Sequence, residues 1–234
     1  MNALLFIQNE AEGIFTQVSG ISLSETVAKI NIWDLAVKGG WLMIPIALLL
    51  FIAIAIFIER LFVIKKAGKE DPTFMERIKD YIHEGKIDSA INLCRTTNTP
   101  ISQMIEKGIS RLGRPMNDIL VAIENVGNIE IAKLEKGFSW VATCAATAPM
   151  IGFLGTVTGM VRAFFAMANA GANVDVTLLS SGIYEALVTT VAGLVAGIIA
   201  LLAFNYLVAL VRGEVNKMET HSMEFMDLLN EPTK

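Results

Sequence analysis

Three long stretches of the chain carry one charged side chain between them. They run from Trp41 to Ile58, from Ser139 to Val161, and from Val176 to Val211, with Glu185 as the exception in the third. A membrane-spanning α-helix needs about 20 predominantly apolar residues. The pattern therefore predicts three transmembrane helices, which we place at residues 41–64, 139–166 and 181–211.

The polar segment of residues 65–138 also has a helical pattern. Apolar residues recur there every three or four positions, which is the spacing of one face of an α-helix. Gly85, Thr99-Pro100 and Gly113-Arg114-Pro115 interrupt the pattern with residues that favour turns. We therefore expect several short helices in this segment.

Two stretches next to the spans continue the helical period. Residues 116–136 meet no breaker before the second span except Gly127 and Gly137, so we expect one long helix that runs out of the membrane. Residues 212–234 follow the third span and repeat the pattern. The predicted fold is all-α, with long helices extending beyond the bilayer.

The first forty residues form a separate polar segment. Ser22 and Glu25 have the spacing of a capping box and predict a short helix ending near Val37. This helix either lies on the membrane surface or is an ordinary connector. Gly39-Gly40 then allows the chain to turn into the first span.

Lysine and arginine positions predict the orientation. Lys65, Lys66 and Lys69 follow the first span, Arg212 follows the third, and residues 163–184 contain neither residue type. Cytoplasmic loops of membrane proteins carry the excess of Lys and Arg. We expect the N-terminus and residues 167–180 outside, and residues 65–138 and the C-terminus in the cytoplasm.

Composition agrees with a membrane protein and argues against several classes of function. The chain is 53% hydrophobic with a net charge of -4, and its mean hydropathy is +0.54. The small charge gives no reason to expect nucleic acid. Cys94 and Cys144 lack metal or disulfide spacing, and no catalytic motif is present. We predict no enzyme activity, no catalytic residue, no cofactor and no metal.

Glu185 is the first candidate for function. A carboxylate in hydrocarbon costs several kcal/mol unless a partner, water or protonation relieves it. Ionisable residues inside membrane spans therefore suggest ion or proton handling.

Small and hydroxyl-bearing residues are the next candidates. Small residues three or four positions apart allow helices to approach closely, and here they are Gly152, Gly155, Gly159, Gly193 and Gly197. The spans also carry Thr143, Thr147, Thr156, Thr158, Thr189 and Thr190. For most of these threonines we expect hydrogen bonds to the carbonyl four residues earlier. The functional alternative is a polar lining for a wet path.

Antiparallel geometry links a second charge to Glu185. If Thr156 lies level with Thr190, then Arg162 lies near the level of Glu185. A buried Arg–Glu pair would lower the cost of both charges, although such pairs are weak evidence for stability. We hypothesise that Arg162 and Glu185 pair within or between subunits, near the outer end of the spans.

Three ordered motifs resemble the ExbB/TolQ/MotA proton-channel family. They cover roughly residues 30–225 and comprise Gly39-Gly-Trp-Leu-Met-Ile-Pro45 with Ile58-Glu-Arg60, Ala148-Pro-Met-Ile-Gly152-Phe-Leu-Gly155-Thr-Val-Thr-Gly159-Met160, and Ile183-Tyr-Glu185-Ala-Leu-Val-Thr-Thr190-Val-Ala-Gly193-Leu194. Three spans with an external N-terminus resemble the ExbB and TolQ branches, and the forty-residue external segment is more similar to ExbB than to TolQ. Arg162 is not a feature that the resemblance explains.

The resemblance implies a homopentamer in a bacterial inner membrane, with spans two and three lining a central pore. Single-span ExbD- or TolR-like partners would occupy the pore, and their aspartate would carry the proton. Thr156 and Thr190 match the family's pore-lining threonines, and Glu185 matches its glutamate in span three. A TonB- or TolA-like protein would receive the resulting motion.

Three functional readings stay open from the sequence. The first is an ExbB-like subunit that energises TonB-dependent transport across the outer membrane. The second is a TolQ-like subunit of the Tol-Pal envelope-integrity motor. The third, from a different class, is a passive membrane scaffold whose glycines and threonines serve packing only.

Overall fold

A computed structural model describes residues 39–69, 71–169 and 176–230, and these residues fold into seven helices. The predicted helix of residues 22–37 lies outside this range. The helices are α1 (Met43–Ala67), α2 (Phe74–His83), α3 (Ile87–Thr97), α4 (Pro100–Ile109), α5 (Met116–Leu134), α6 (Phe138–Asn169) and α7 (Val176–Asn230).

Three of these helices are long and apolar enough to cross a membrane, as the sequence predicted. They are α1 with 25 residues, α6 with 32 and α7 with 55. At 1.5 Å per residue, α7 rises about 80 Å, whereas a hydrocarbon core is about 30 Å thick. The third span and the C-terminal tail are thus one helix that projects far beyond the bilayer.

The expected single helix from residue 116 into the second span is wrong. Helix α5 ends at Leu134, and Gly137 adopts a φ of +90° before α6 begins at Phe138. A residue in the left-handed region interrupts the helical hydrogen bonds and ends the helix, and glycine adopts this conformation without a Cβ clash. The sequence pattern showed the apolar period but not the backbone conformation at this glycine.

Helix also occupies both edges of the segment predicted as an outside loop. The loop was placed at residues 167–180, but α6 runs to Asn169 and α7 starts at Val176. The apolar residues there allow the helices to continue past the charge at Arg162.

Short helices α2–α5 pack with the projecting end of α7, and we call this unit the helical bundle. Its buried core includes Phe74, Ile78, Ile105, Ile123 and Phe225. The predicted breaks are present: Gly85 has a φ of +71°, and Thr99 caps the start of α4. Because Phe225 lies on α7, the tail completes the core of the bundle.

Arg60 ties the first span to the bundle. Its side chain is nearly buried, and its Nη1 donates to the carbonyl of Lys133, 3.3 Å away. That carbonyl belongs to the last turn of α5, where no helical N–H is available to satisfy it. The second Nη pairs with Glu59. Arg60 therefore fixes the end of α5 against α1.

The spans have two distinguishable ends. Lys65, Lys66, Lys136 and Arg212 lie at the end that meets the helical bundle, which we call the basic end. Arg162 and Glu185 lie toward the other end, which we call the far end.

Cys94 supplies a prediction for the bundle. Its side chain is 1% exposed, and burial, followed by the nearby Glu106 carboxylate, raises the pKa of the thiol to about 12 from 9.0. In a Cys144→Ala background, we expect maleimide to label Cys94 slowly in the folded protein and rapidly after denaturation. Mass spectrometry over time measures this difference, and equal rates would show that the bundle is not packed as described.

The same shift sets a pH dependence. Below pH 9 the thiol is protonated in both the folded and the unfolded state, so the stability linked to its burial is fully present. This stability is lost as the pH rises from 9 toward 12, because the unfolded thiol ionises first. The loss is at most about 1.4 kcal/mol per pH unit. The free energy of unfolding of Cys94→Ala should lack this part of the alkaline slope.

Candidate functional site

Helices α6 and α7 run antiparallel and form the closest packing among the described spans. An ideal Cβ built on Gly193 would lie 2.6 Å from the carbonyl oxygen of Ala148, and one on Gly152 would lie 3.1 Å from the Cα of Gly193. Real Cβ atoms do not tolerate backbone atoms at such distances. The two backbones therefore touch at Gly152 and Gly193.

The remaining candidate glycines extend this contact along both helices. A Cβ on Gly159 would lie 2.9 Å from the Cβ of Ala186, and one on Gly197 would lie 3.1 Å from the carbonyl oxygen of Ala145. Gly155 faces the side chain of Thr189 at similarly short range. All five glycines thus lie on one seam, which we call the glycine seam, and each leaves room for atoms of the opposite helix.

Thr156 and Thr190 meet across this seam. Their hydroxyl groups are hydrogen-bonded to each other, and the Thr190 Oγ1 also lies 3.0 Å from the carbonyl oxygen of Gly152. The Thr156 Oγ1 lies 3.3 Å from the same carbonyl. Both side chains are half-buried. Two hydroxyls and one carbonyl therefore form a small polar cluster between the helices.

The other threonines of the spans bond within their own helix. Thr143, Thr147 and Thr158 donate to the carbonyl four residues earlier, at 2.7–2.9 Å. Thr189 donates to the carbonyl of Ala186 at 2.8 Å. These hydroxyls serve the local backbone, whereas Thr156 and Thr190 are the pair that the described structure joins across helices.

Arg162 and Glu185 lie together at the far end of the same two helices. The Arg162 Nη1 is 3.4 Å from the Glu185 Oε1 within one chain, with side chains that are 54% and 30% exposed. This separation is that of an ion pair and is longer than a strong charge-assisted hydrogen bond. The two charges relieve part of each other's desolvation cost.

Glu185 also contacts the entry to α1, which the sequence did not indicate. Gly40 has a φ of +67°, and the position that its Cβ would occupy is taken by the Glu185 Oε1. A side chain at this position would therefore be strained and would displace the carboxylate. Glu185 on α7 thus contacts both Arg162 on α6 and the turn that leads into α1.

The ion pair lines an open groove of about 680 Å³. Ser180, Ser181 and Tyr184 add polar groups to its wall, and Ala163, Ala166 and Gly182 add small ones. Water can enter such a groove and hydrate the charges. Among residues 39–69, 71–169 and 176–230, no cluster of His, Cys, Asp and Glu could hold a metal ion.

Chemically, the cluster suits the transfer of a proton between groups. Each threonine hydroxyl has one proton to donate and lone pairs to accept another. When Thr190 donates to the Gly152 carbonyl and Thr156 donates to Thr190, the lone pairs of Thr156 can accept a proton from a third group. An uncharged hydroxyl passes a proton on without holding it as a stable charge.

The fold and these contacts define a class: a membrane protein with three spans, two of which pack through glycine and share a hydroxyl cluster. The sequence signature of the MotA/TolQ/ExbB proton channel family matches residues 96–220, more than half of the chain. The protein belongs to this family.

Individual relatives carry the names of two branches. An ExbB-like putative biopolymer transport protein of Synechocystis is 29% identical over 76% of this chain and 70% of its own length. The Tol-Pal system protein TolQ of Haemophilus influenzae is 28% identical over 86% of this chain and 92% of its own length. A putative ExbB homologue of Methanothermobacter thermautotrophicus is 26% identical over 69% of this chain, and the match spans 57% of that relative's own length.

Proposed function

We propose that this chain is the channel-forming subunit of a proton-driven motor in a bacterial inner membrane. Its N-terminus lies in the periplasm, and the helical bundle lies in the cytoplasm. A pentamer surrounds a central pore lined by α6 and α7. The motor energises TonB-dependent transport across the outer membrane together with an ExbD-like partner.

The observation that carries this proposal is the hydroxyl cluster of Thr156 and Thr190. A packing role would be served by bonds within each helix, as at Thr143, Thr147 and Thr158. Thr156 and Thr190 each reach the carbonyl four residues earlier only at 3.3–3.4 Å, and in addition they face one another across the glycine seam while remaining half-exposed at the surface of the chain. A partner helix beside them can therefore exchange protons with the cluster.

The carboxylate that carries the proton belongs to the partner in this proposal. A partner aspartate beside the cluster would gain hydrogen bonds in both its charged and its neutral form. One charge moving through 100 mV releases about 2.3 kcal/mol, which drives rotation of the partner relative to the pentamer. Glu185 and Arg162 lie at the far end, where their charges attract water to the entrance of this path.

Replacing either hydroxyl tests the proposal. In vesicles containing the chain and its partner, we expect Thr156→Val and Thr190→Val to slow proton uptake about tenfold, since a lost hydrogen bond of about 1.4 kcal/mol gives that factor. Thr156→Ser should keep most of the activity because it retains the hydroxyl. A pH-sensitive dye inside the vesicles measures uptake.

Thr147→Val is the matched control, because the Thr147 hydroxyl bonds only to the Thr143 carbonyl in the described structure. It should leave uptake unchanged. Normal uptake in both Thr156→Val and Thr190→Val would favour a passive scaffold over a proton motor.

A Tol-type motor for envelope integrity is the second candidate. The Haemophilus influenzae TolQ relative supports it, because the match covers nearly the whole length of both chains. Purification of the complex from its native cells distinguishes the two: a TonB-like protein in the complex supports transport, whereas a TolA-like protein supports the Tol branch.

A further inference from the structure

Helices α4, α5 and α7 enclose an open groove of about 500 Å³ in the helical bundle, which we call the bundle groove. Met104 and Met218 form its floor, and Gly127 leaves room for the Met104 side chain, since a Cβ there would lie 3.1 Å from the Met104 Cε. Met223 lies at the edge and is 65% exposed. Methionine side chains are flexible and adapt to varied apolar partners.

The charged residues lining the bundle groove are both acidic. Glu124 on α5 and Glu219 on α7 lie at its exposed rim. The lysines nearby on the same helices are already paired: Lys217 with Glu214 at 2.9 Å, and Lys133 with Glu130. An apolar floor with an acidic rim fits a segment that has apolar and basic side chains.

The bundle groove lies on the side of α7 that carries Thr190. Residues of an α-helix advance 100° each, so Val215 and Glu219 project within about 20° of the direction of Thr190. Both line the groove. Glu219 lies about 40 Å from Thr190 along the helix and about 10 Å beyond Arg212, which marks the basic end. A molecule beside Thr190 that continues past the basic end therefore meets the bundle groove.

We propose that the bundle groove binds the cytoplasmic tail of the single-span partner, through a short amphipathic segment rich in lysine or arginine. This inference rests on the proposed function, which places the partner beside Thr156 and Thr190. Short cytoplasmic tails of membrane proteins are enriched in Lys and Arg, so the tail has the charge that the rim requires. About three extended residues or two helical turns cover the 10 Å from the basic end.

Arg212 refines the position of the basic side chains. It lies two turns nearer the membrane on the same side of α7 and repels them there. The lysines or arginines of the tail therefore bind at the level of Glu219 and Glu124.

Peptide binding to the full chain tests the rim. The probe is a fluorescent, helix-forming peptide of lysine and leucine, and the chain is held in nanodiscs of zwitterionic lipid, with empty nanodiscs as background. We expect the double variant E124Q/E219Q to weaken binding roughly tenfold, as two charge contacts are lost. The double variant E84Q/D88N makes the same change in charge at the α2–α3 turn and should bind as the unmodified chain does.

A second pair of variants tests the edge of the groove. Met223→Lys places a positive charge at the exposed edge and should weaken binding, whereas Thr220→Lys, 100° or more from the groove residues Val215 and Glu219 on α7, should not. Equal binding by E124Q/E219Q and the unmodified chain would overturn the inference. Crosslinking of a photoreactive residue at position 223 to a second copy of this chain would also overturn it, because the groove would then be a subunit interface.

Proton uptake separates this inference from the proposed function. If E124Q/E219Q binds the peptide normally while Thr156→Val still slows proton uptake, the motor stands and the tail site is wrong. If the Thr156 and Thr190 variants take up protons normally, the motor itself is wrong, whatever the peptide does. Weakened peptide binding by E124Q/E219Q together with slow proton uptake by the Thr156 and Thr190 variants supports both.

Discussion

Gly193→Leu is expected to separate α6 from α7 and to abolish assembly of the folded protein. The Cβ of any residue at position 193 would lie 2.6 Å from the carbonyl oxygen of Ala148 and 2.9 Å from the Cα of Gly152. Both are backbone atoms, so relief requires movement of a whole helix. We expect a loss of about 3 kcal/mol or more from overpacking, measured as a lower melting temperature in detergent and loss of the proposed pentamer on a native gel.

Gly213→Leu provides the control on the same helix. No atom lies within 4 Å of a Cβ built on Gly213, and the residue is exposed. Leucine favours a helix over glycine by up to about 1 kcal/mol, so this variant should be unchanged or slightly more stable. A similar loss of stability in both variants would show that close backbone contact is not the reason for glycine at position 193.

Loss of the Arg162–Glu185 pair is expected to have the second largest effect, and a double-mutant cycle measures it. Glu185→Leu leaves the Arg162 charge without this partner and empties the space against Gly40. Arg162→Leu leaves a carboxylate near hydrocarbon. We expect each to cost about 1–3 kcal/mol, with the larger loss for Glu185, which is less exposed.

The double variant R162L/E185L should cost less than the sum of the two, by about 1 kcal/mol, because it leaves no unpaired charge. Melting temperature and proton uptake are measured for all four proteins. If R162L retains normal assembly and uptake while E185L loses both, then the pair has no role and Glu185 acts through its other contacts.

Much of the fold follows from local sequence. An uncharged run of sufficient length must be a helix in a membrane, because every backbone N–H and C=O needs a partner inside the segment. This rule gave α1, α6 and α7 without knowledge of any tertiary contact. The turns at Gly85 and Thr99-Pro100 also follow from local sequence, because glycine widens and proline restricts the conformations of its own backbone.

The break between α5 and α6 shows where local reasoning fails. The residues around Gly137 keep the apolar period of a helix, and glycine tolerates both helical and left-handed conformations. Packing decides between them: Ile56 lies against Gly137, and Arg60 binds the last turn of α5. These partners are about eighty residues away in the sequence, so no local pattern records them.

The candidate site was likewise predictable from the sequence only in part. Its residue types were visible in the sequence, because a lone carboxylate, an arginine and a row of glycines are conspicuous in apolar spans. Which of six threonines act together was not visible, since every one can bond to its own helix. Register settles this point: with α6 and α7 in contact at Gly152 and Gly193, Thr156 and Thr190 meet, whereas Thr143, Thr147 and Thr158 do not reach across.

The sequence by itself determined an all-helical membrane protein, three spans, and the residue types of the candidate site. It could do so because hydrocarbon imposes its requirements on each segment separately. The tertiary structure alone decided that Glu185 fits against Gly40, that two hydroxyls share the Gly152 carbonyl, and that the tail of α7 completes the helical bundle. Those outcomes depend on contacts between distant segments, whose register only the packed helices establish.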